Sequence, residues 1–168
     1  MSKKIVNRVA NSGIITIDLS DYIPKEHILE LDLKQFLFDG FILKEVDFRT
    51  SIKEFDFSIY KNKVVAVFCS SDCIIPMWAF MLVTSHLTDI TSEIVSGNRE
   101  IVFQQFFLRN IENINPANFQ NKKVIVKGCG KIPLKESLYV AITKKLKKTV
   151  SSLMFGEACS AVPVYKKK

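Results

Sequence analysis

Apolar and polar residues alternate twice near the start of the chain. Ile14-Ile15-Thr16-Ile17-Asp18-Leu19 follows an Asn11-Ser12-Gly13 turn, and Leu29, Leu31 and Leu33 alternate with Glu30 and Asp32. A period of two turns one face of a strand to a core and the other to water. Both segments therefore predict half-buried strands, paired as an antiparallel hairpin or lying at a sheet edge. Phe48, Ile52 and Phe55 then recur at helical spacing and predict a short amphipathic helix over residues 46–56.

After Tyr60-Lys61-Asn62-Lys63 the pattern changes. Val64-Val65-Ala66-Val67-Phe68 is a continuous β-prone run, of the kind a strand shows when both its faces are buried. An apolar helix is predicted from Pro76 to Leu87, with Pro tolerated in the first turn. A short strand over Ser92–Gly97 follows, then a helix capped by Asn98 that carries Ile101, Val102, Phe106 and Leu108 and must end before Pro116.

Val124–Lys127 predicts the third strand of this series, and Leu134, Leu138, Ile142 and Leu146 mark another amphipathic helix. Leu153-Met154-Phe155 predicts the last strand. Strands separated by helices imply right-handed crossovers, hence an α/β fold: a three-layer sandwich on a mostly parallel sheet, with the amino-terminal strands as an antiparallel pair or edge. The chain shows neither an internal repeat nor a low-complexity segment.

Composition narrows this only slightly. With 168 residues, 48% of them hydrophobic and 13 of them Phe, the chain can fill one core and is expected to form a single domain, residues 1–168. Val64 to Val83 holds one formal charge, Asp72, but Ser70-Ser71-Asp72 and Pro76 divide it into lengths suited to a strand and a helix, not a membrane span. The start of the chain lacks the uninterrupted apolar region of a secretory signal, and a cytoplasmic location is expected.

The formal charge of +7 raises the question of a nucleic-acid partner. Lys144, Lys145, Lys147 and Lys148 end a predicted helix, Lys166–Lys168 end the chain, and Lys3 and Lys4 begin it. Lysines in a last helical turn meet the helix dipole favourably, and terminal lysines aid solubility, so the excess needs no nucleic acid to explain it.

The candidate chemistry lies in the four cysteines. Cys69, Cys129 and Cys159 each fall at or just beyond a predicted strand end, and ligands of open parallel sheets bind at that edge, where strand order reverses. If the strands beginning at Val64, Ile94, Val124 and Leu153 adopt the order 2-1-3-4, Cys69 and Cys129 become neighbours and Cys159 arrives beside them. Three readings follow. The cysteines bind zinc or iron, with Cys73 or water completing the shell; or Cys69 is a thiolate activated by the following helix, with Cys73 or Cys129 as resolving partner, as in a thiol-based redox enzyme; or the thiols are inert core.

Asp72 and Glu157 flank the cysteines and could move protons, against roles as a helix cap and a solvated turn charge. His86, late in its helix, is expected to be a packed or surface residue. Gly128 and Gly130 around Cys129 permit close backbone approach or positive φ. No glycine-rich phosphate-binding motif is present.

Three stretches carry a family likeness: Cys69-Ser70 with Ile75-Pro76-Met77-Trp78-Ala79, Lys127-Gly128-Cys129 with Lys131-Ile132-Pro133, and Gly156-Glu157-Ala158-Cys159-Ser160-Ala161-Val162-Pro163-Val164-Tyr165-Lys166. The chain resembles, over nearly its whole length, the bacterial family called domain of unknown function 2480. The resemblance implies a constellation of Cys69, Cys129 and Cys159, with Cys73 outside the family pattern, and it implies no activity. The preferred expectation is a transition-metal site, zinc or iron, on Cys69, Cys129, Cys159 and Cys73. The competing expectation is a metal-free module whose Phe-rich amino-terminal half forms a homodimer face and whose basic end meets an acidic partner.

Overall fold

A computed structural model of the protein describes residues 13–128 and 134–168. Cys129, Gly130 and the lysines at positions 3 and 4 lie outside the described residues. Among the described residues seven strands and four α-helices follow in chain order: β1 (Ile14–Asp18), β2 (Ile28–Asp32), α1 (Glu45–Glu54), β3 (Val64–Phe68), α2 (Met77–Leu87), β4 (Glu93–Ser96), α3 (Arg99–Glu112), β5 (Lys123–Lys127), α4 (Glu136–Leu146), β6 (Ser152–Phe155) and β7 (Val162–Lys166). The class is the α/β expected from the alternating pattern.

The strands form two open sheets where one was expected. One has the order β2-β3-β4, all parallel; the other has the order β1-β5-β6-β7, parallel except for the antiparallel β6–β7 pair. The two amino-terminal strands are edges, one of each sheet, and are not paired with each other. The antiparallel pair stands instead at the carboxyl end, where β7 was not foreseen. Pro163 within it breaks the strand signal, and β7 tolerates the proline because it is an edge.

The chain divides into two compact units. Residues 25–105 form one, and residues 1–24 with 106–168 form the other, so the first is inserted in the second between β1 and β5. In the inserted unit Leu31, Val65, Val67, Phe48, Ile52, Ala79, Val83 and Leu87 are buried in a shared core. Phe36 meets Phe48 and Phe55 edge-on, with ring centroids 6.0 and 5.2 Å apart. Several of the phenylalanines read as a dimer face are thus core. In the other unit Val124, Ile125, Val126, Leu138, Ile142, Leu146 and Leu153 are buried.

The two units repeat one another. The 3-10 turn Phe57–Tyr60, β3, α2 and β4 recur as Pro116–Phe119, β5, α4 and β6, each shifted by 59 positions, as from Val64 to Lys123. Likewise β1 and the 3-10 turn Leu19–Tyr22 recur 14 positions on as β2 and Leu33–Phe36. The backbone bonds repeat too: Asn62 N–H donates to Ile90 O and Asn121 N–H to Thr149 O, at 3.0 and 2.9 Å, and Gly97 N–H donates to Val67 O as Gly156 N–H does to Val126 O, both at 3.0 Å. Asn62 and Asn121 share a left-handed backbone (φ 58 and 55), and Gly97 and Gly156 share positive φ (127 and 112). The repeat is hard to see in the sequence because its identities, Asn62/Asn121, Lys63/Lys122 and Gly97/Gly156 among them, are scattered between positions that differ.

Candidate functional site

The carboxyl edge of the β2-β3-β4 sheet is built on a carboxylate. Asp32, the last residue of β2, caps the 3-10 turn that follows by accepting the Lys34 amide at 3.0 Å. It also accepts the Ser70 amide at 3.0 Å on one oxygen and the Ser70 hydroxyl at 2.5 Å on the other. Ser71 hydroxyl donates to Gly40 O at 2.6 Å. The turn leaving β3, Cys69 to Cys73, is thereby fastened to its neighbours on both sides. Burial works against the Asp32 charge, but the Ser70 hydroxyl and the Lys34 and Ser70 amides outweigh it and hold the carboxyl below its ordinary range.

Cys69 and Cys73 are half-buried and pack against the core of this unit. Burial pushes the Cys69 thiol up, a backbone hydrogen bond at Ser71 opposes it, and the neighbouring Cys73 and Asp32 push it further. Cys73 is close enough to bear on the Cys69 thiol. This direction is opposite to that of the activated thiolate considered for Cys69. The physical reason is that α2 begins at Met77, with Pro76 as its N-cap and no side-chain cap, so Cys69 stands seven positions before the cap. Asp72, expected as the cap, does not serve as one.

The carboxyl edge of the other sheet carries a different set. Asp18, at the end of β1, repeats Asp32: it accepts the amide and hydroxyl of Ser20 at 3.0 and 2.5 Å. Lys127, at the end of β5, lies 3.4 Å from Asp18 and 3.6 Å from Glu157. Glu157 is therefore an ion-pair partner as well as a turn charge. Cys159 is exposed, 3.9 Å from the Ser160 hydroxyl. A Cβ at Gly128 would run into the end of the Leu134 side chain and the Tyr139 hydroxyl, which would have to shift to admit it.

Strand order decides which candidates come together. Cys69 and Cys73 share one turn. Cys129 and Cys159 follow β5 and β6, which are parallel neighbours. The assumed adjacency of the Val64 and Val124 strands does not hold, since β3 pairs with β2 and β4, and β5 with β1 and β6. In the repeat, moreover, Cys69 falls opposite Gly128 and Cys129 opposite Ser70, so the two cysteines are not equivalent positions. Among the described residues no three His, Cys, Asp or Glu side chains converge as a metal shell. His86 is exposed and stacks on Phe57 at 5.4 Å, in keeping with the packed or surface residue expected. No described helix is long and apolar enough to cross a membrane.

Sequence reasoning missed Asp18 and Asp32. Their signal is the pair Ile17-Asp18-Leu19 and Leu31-Asp32-Leu33, fourteen positions apart and each closing a strand.

Fold and strand-end chemistry together define a mixed α/β protein of two mostly parallel sheets, with cysteines placed after the strands. The family model described as "Protein of unknown function (DUF2480)" matches residues 3–167, and the chain belongs to that family. No curated protein and no solved structure matches the chain.

Proposed function

We propose that the protein binds a transition metal, zinc or iron, through cysteine thiolates at the carboxyl edge of its parallel strands, with Cys69 and Cys73 as the nucleus of the site. The observation that carries this reading is the Cys69–Cys73 pair: two half-buried thiols on one fastened turn, with burial and the neighbouring Cys73 both pushing the Cys69 thiol up. A soft cation supplies the positive charge that such a pair lacks, deprotonating both thiols on binding. Cys129 and Cys159, following adjacent strands, make a second candidate pair that is tested separately.

Metal content of protein purified without chelator tests this, beside Cys69→Ser/Cys73→Ser and Cys129→Ser/Cys159→Ser. The native protein should carry a substantial fraction of an equivalent, lost in the first variant. Less than about a tenth of an equivalent in the native protein, the level of adventitious binding, would overturn it, as would full retention in the first variant.

A further inference from the structure

The repeat bears on the origin of the basic charge. Lysines in a last helical turn meet the helix dipole favourably, and that reason applies to α2 as much as to α4. Yet the positions of Lys123, Lys144, Lys145, Lys147 and Lys148 hold Val64, Ser85, His86, Thr88 and Asp89 in the inserted unit, and only Lys122 finds a lysine, Lys63, at its equivalent. The fold does not need these lysines. The excess is also confined to one unit: residues 1–24 and 106–168 carry 16 Lys and Arg against 5 Asp and Glu, whereas residues 25–105 carry 8 against 12.

Topology gathers that excess at one end of the sheet. β5 and β6 begin at its amino edge, and β7, being antiparallel, ends there. Lys123, Ser152 and Lys166 stand in one row across the three strands. The next row out is Lys122, Ser151 and Lys167, where the Ser151 amide donates to Lys122 O at 2.8 Å and the Lys167 amide to Ser151 O at 2.9 Å. Each row reads Lys-Ser-Lys, its lysines two strand spacings, about 10 Å, apart. Lys147 and Lys148, between α4 and β6, join the same edge. All six lysines are exposed, and among the described residues none is paired with a carboxylate. Of the carboxylates in this unit, Asp18, Asp21, Glu136 and Glu157 follow strands at the opposite edge, which leaves Glu112.

We propose that this edge binds double-stranded nucleic acid through its phosphate backbone, without reading sequence. Lysine ammonium and serine hydroxyl groups, the two kinds that the rows present, are ordinary donors to phosphate oxygens. Lysine is depleted in protein–protein interfaces, where aromatic residues and arginine are enriched, so an acidic protein fits the edge less well. A membrane calls for apolar side chains beside the charge, whereas the exposed Val162 lies at the other end of β7. A single strand calls for exposed rings on which its bases stack. Tyr165, the aromatic residue of β7, is half-buried, with the Lys147 ammonium 5.8 Å over its ring. No cysteine takes part, so this edge and the metal site stand or fall separately.

Fluorescence anisotropy of a labelled DNA duplex of about 20 base pairs, titrated with the intact protein at several salt concentrations, tests this. Saturable binding is expected, and about four neutralised phosphates should weaken it by about a hundredfold between about 50 and 200 mM salt. Lys122→Gln/Lys167→Gln and Lys147→Gln/Lys148→Gln should each weaken binding by about tenfold at low salt and lower the salt slope by about 2. Lys25→Gln/Lys53→Gln, which removes the same charge from exposed positions of the inserted unit, should leave binding unchanged. Far-ultraviolet circular dichroism verifies that each variant is folded. No saturation by about 0.1 mM, the weak limit of non-specific affinity, an affinity indifferent to salt, or an equal loss in Lys25→Gln/Lys53→Gln overturns the proposal. So does tighter binding of the single strand, or binding to vesicles of phosphatidylcholine and phosphatidylserine without binding to the duplex, which assigns the edge to a membrane.

Discussion

Asp32 holds Ser70 twice, accepting its amide on one carboxylate oxygen and its hydroxyl on the other across 38 positions of sequence. The end of β2 is thereby tied to the turn carrying Cys69 and Cys73. Hydrogen bonds to a charged acceptor contribute about 1.5–3 kcal/mol each, less where solvent reaches the group, as here. Asp32→Ala should therefore cost about 1–3 kcal/mol of stability, and Ser70→Ala less, since its amide bond remains. A double-mutant cycle by urea unfolding should give a coupling of at least about 0.5 kcal/mol. Simple additivity would show that the contact does not fasten the turn.

Asp18 makes the matching contact in the other unit, and there it governs response to acid. The Ser20 hydroxyl first, then the Ser20 amide and Lys127, hold its carboxyl below the ordinary 3.8 despite burial. A depressed carboxyl stabilises the folded state above its unfolded value and loses that contribution as pH falls through the folded one. Thermal midpoints of Asp18→Asn and the native protein, measured from pH 7 to pH 2, should thus differ most above 3.8 and converge below it. Loss of the cap costs about 1 kcal/mol at neutral pH. A constant difference at every pH would remove the carboxylate's charge from the explanation.

These two aspartates also show what was legible in the chain. Period-two and helical spacing located β1 to β6 and the four helices to within a few residues, because burial imposes those periods directly. Asn98 was foreseen as a cap and is one, accepting the Ile101 amide at 3.0 Å. Pairing was not legible. Val64–Phe68 and Val124–Lys127 read alike as buried strands, and nothing in either run says that they belong to separate sheets. The assumption of one sheet drew Cys69 and Cys129 together, and the topology undoes it. The repeat escaped notice for a related reason: identities such as Asn62/Asn121, Val65/Val124, Val67/Val126, Leu87/Leu146 and Gly97/Gly156 are scattered among positions that differ, and no contiguous motif recurs.

The two units differ where β3 and β5 end. Gly128 occupies the position of Cys69, and a Cβ there would have to displace the end of the Leu134 side chain and the Tyr139 hydroxyl. In the other unit the same two positions are Ile75 and Phe80, and Phe80 lacks the hydroxyl. Gly128→Ala should therefore destabilise by about 1–3 kcal/mol through overpacking, although a cysteine is accommodated at the equivalent site. Tyr139→Phe removes one of the two obstructing atoms. Combined with Gly128→Ala it should recover part of the loss, giving non-additivity of at least about 0.5 kcal/mol in urea unfolding. Strict additivity would mean that the hydroxyl is not what opposes a side chain at Gly128.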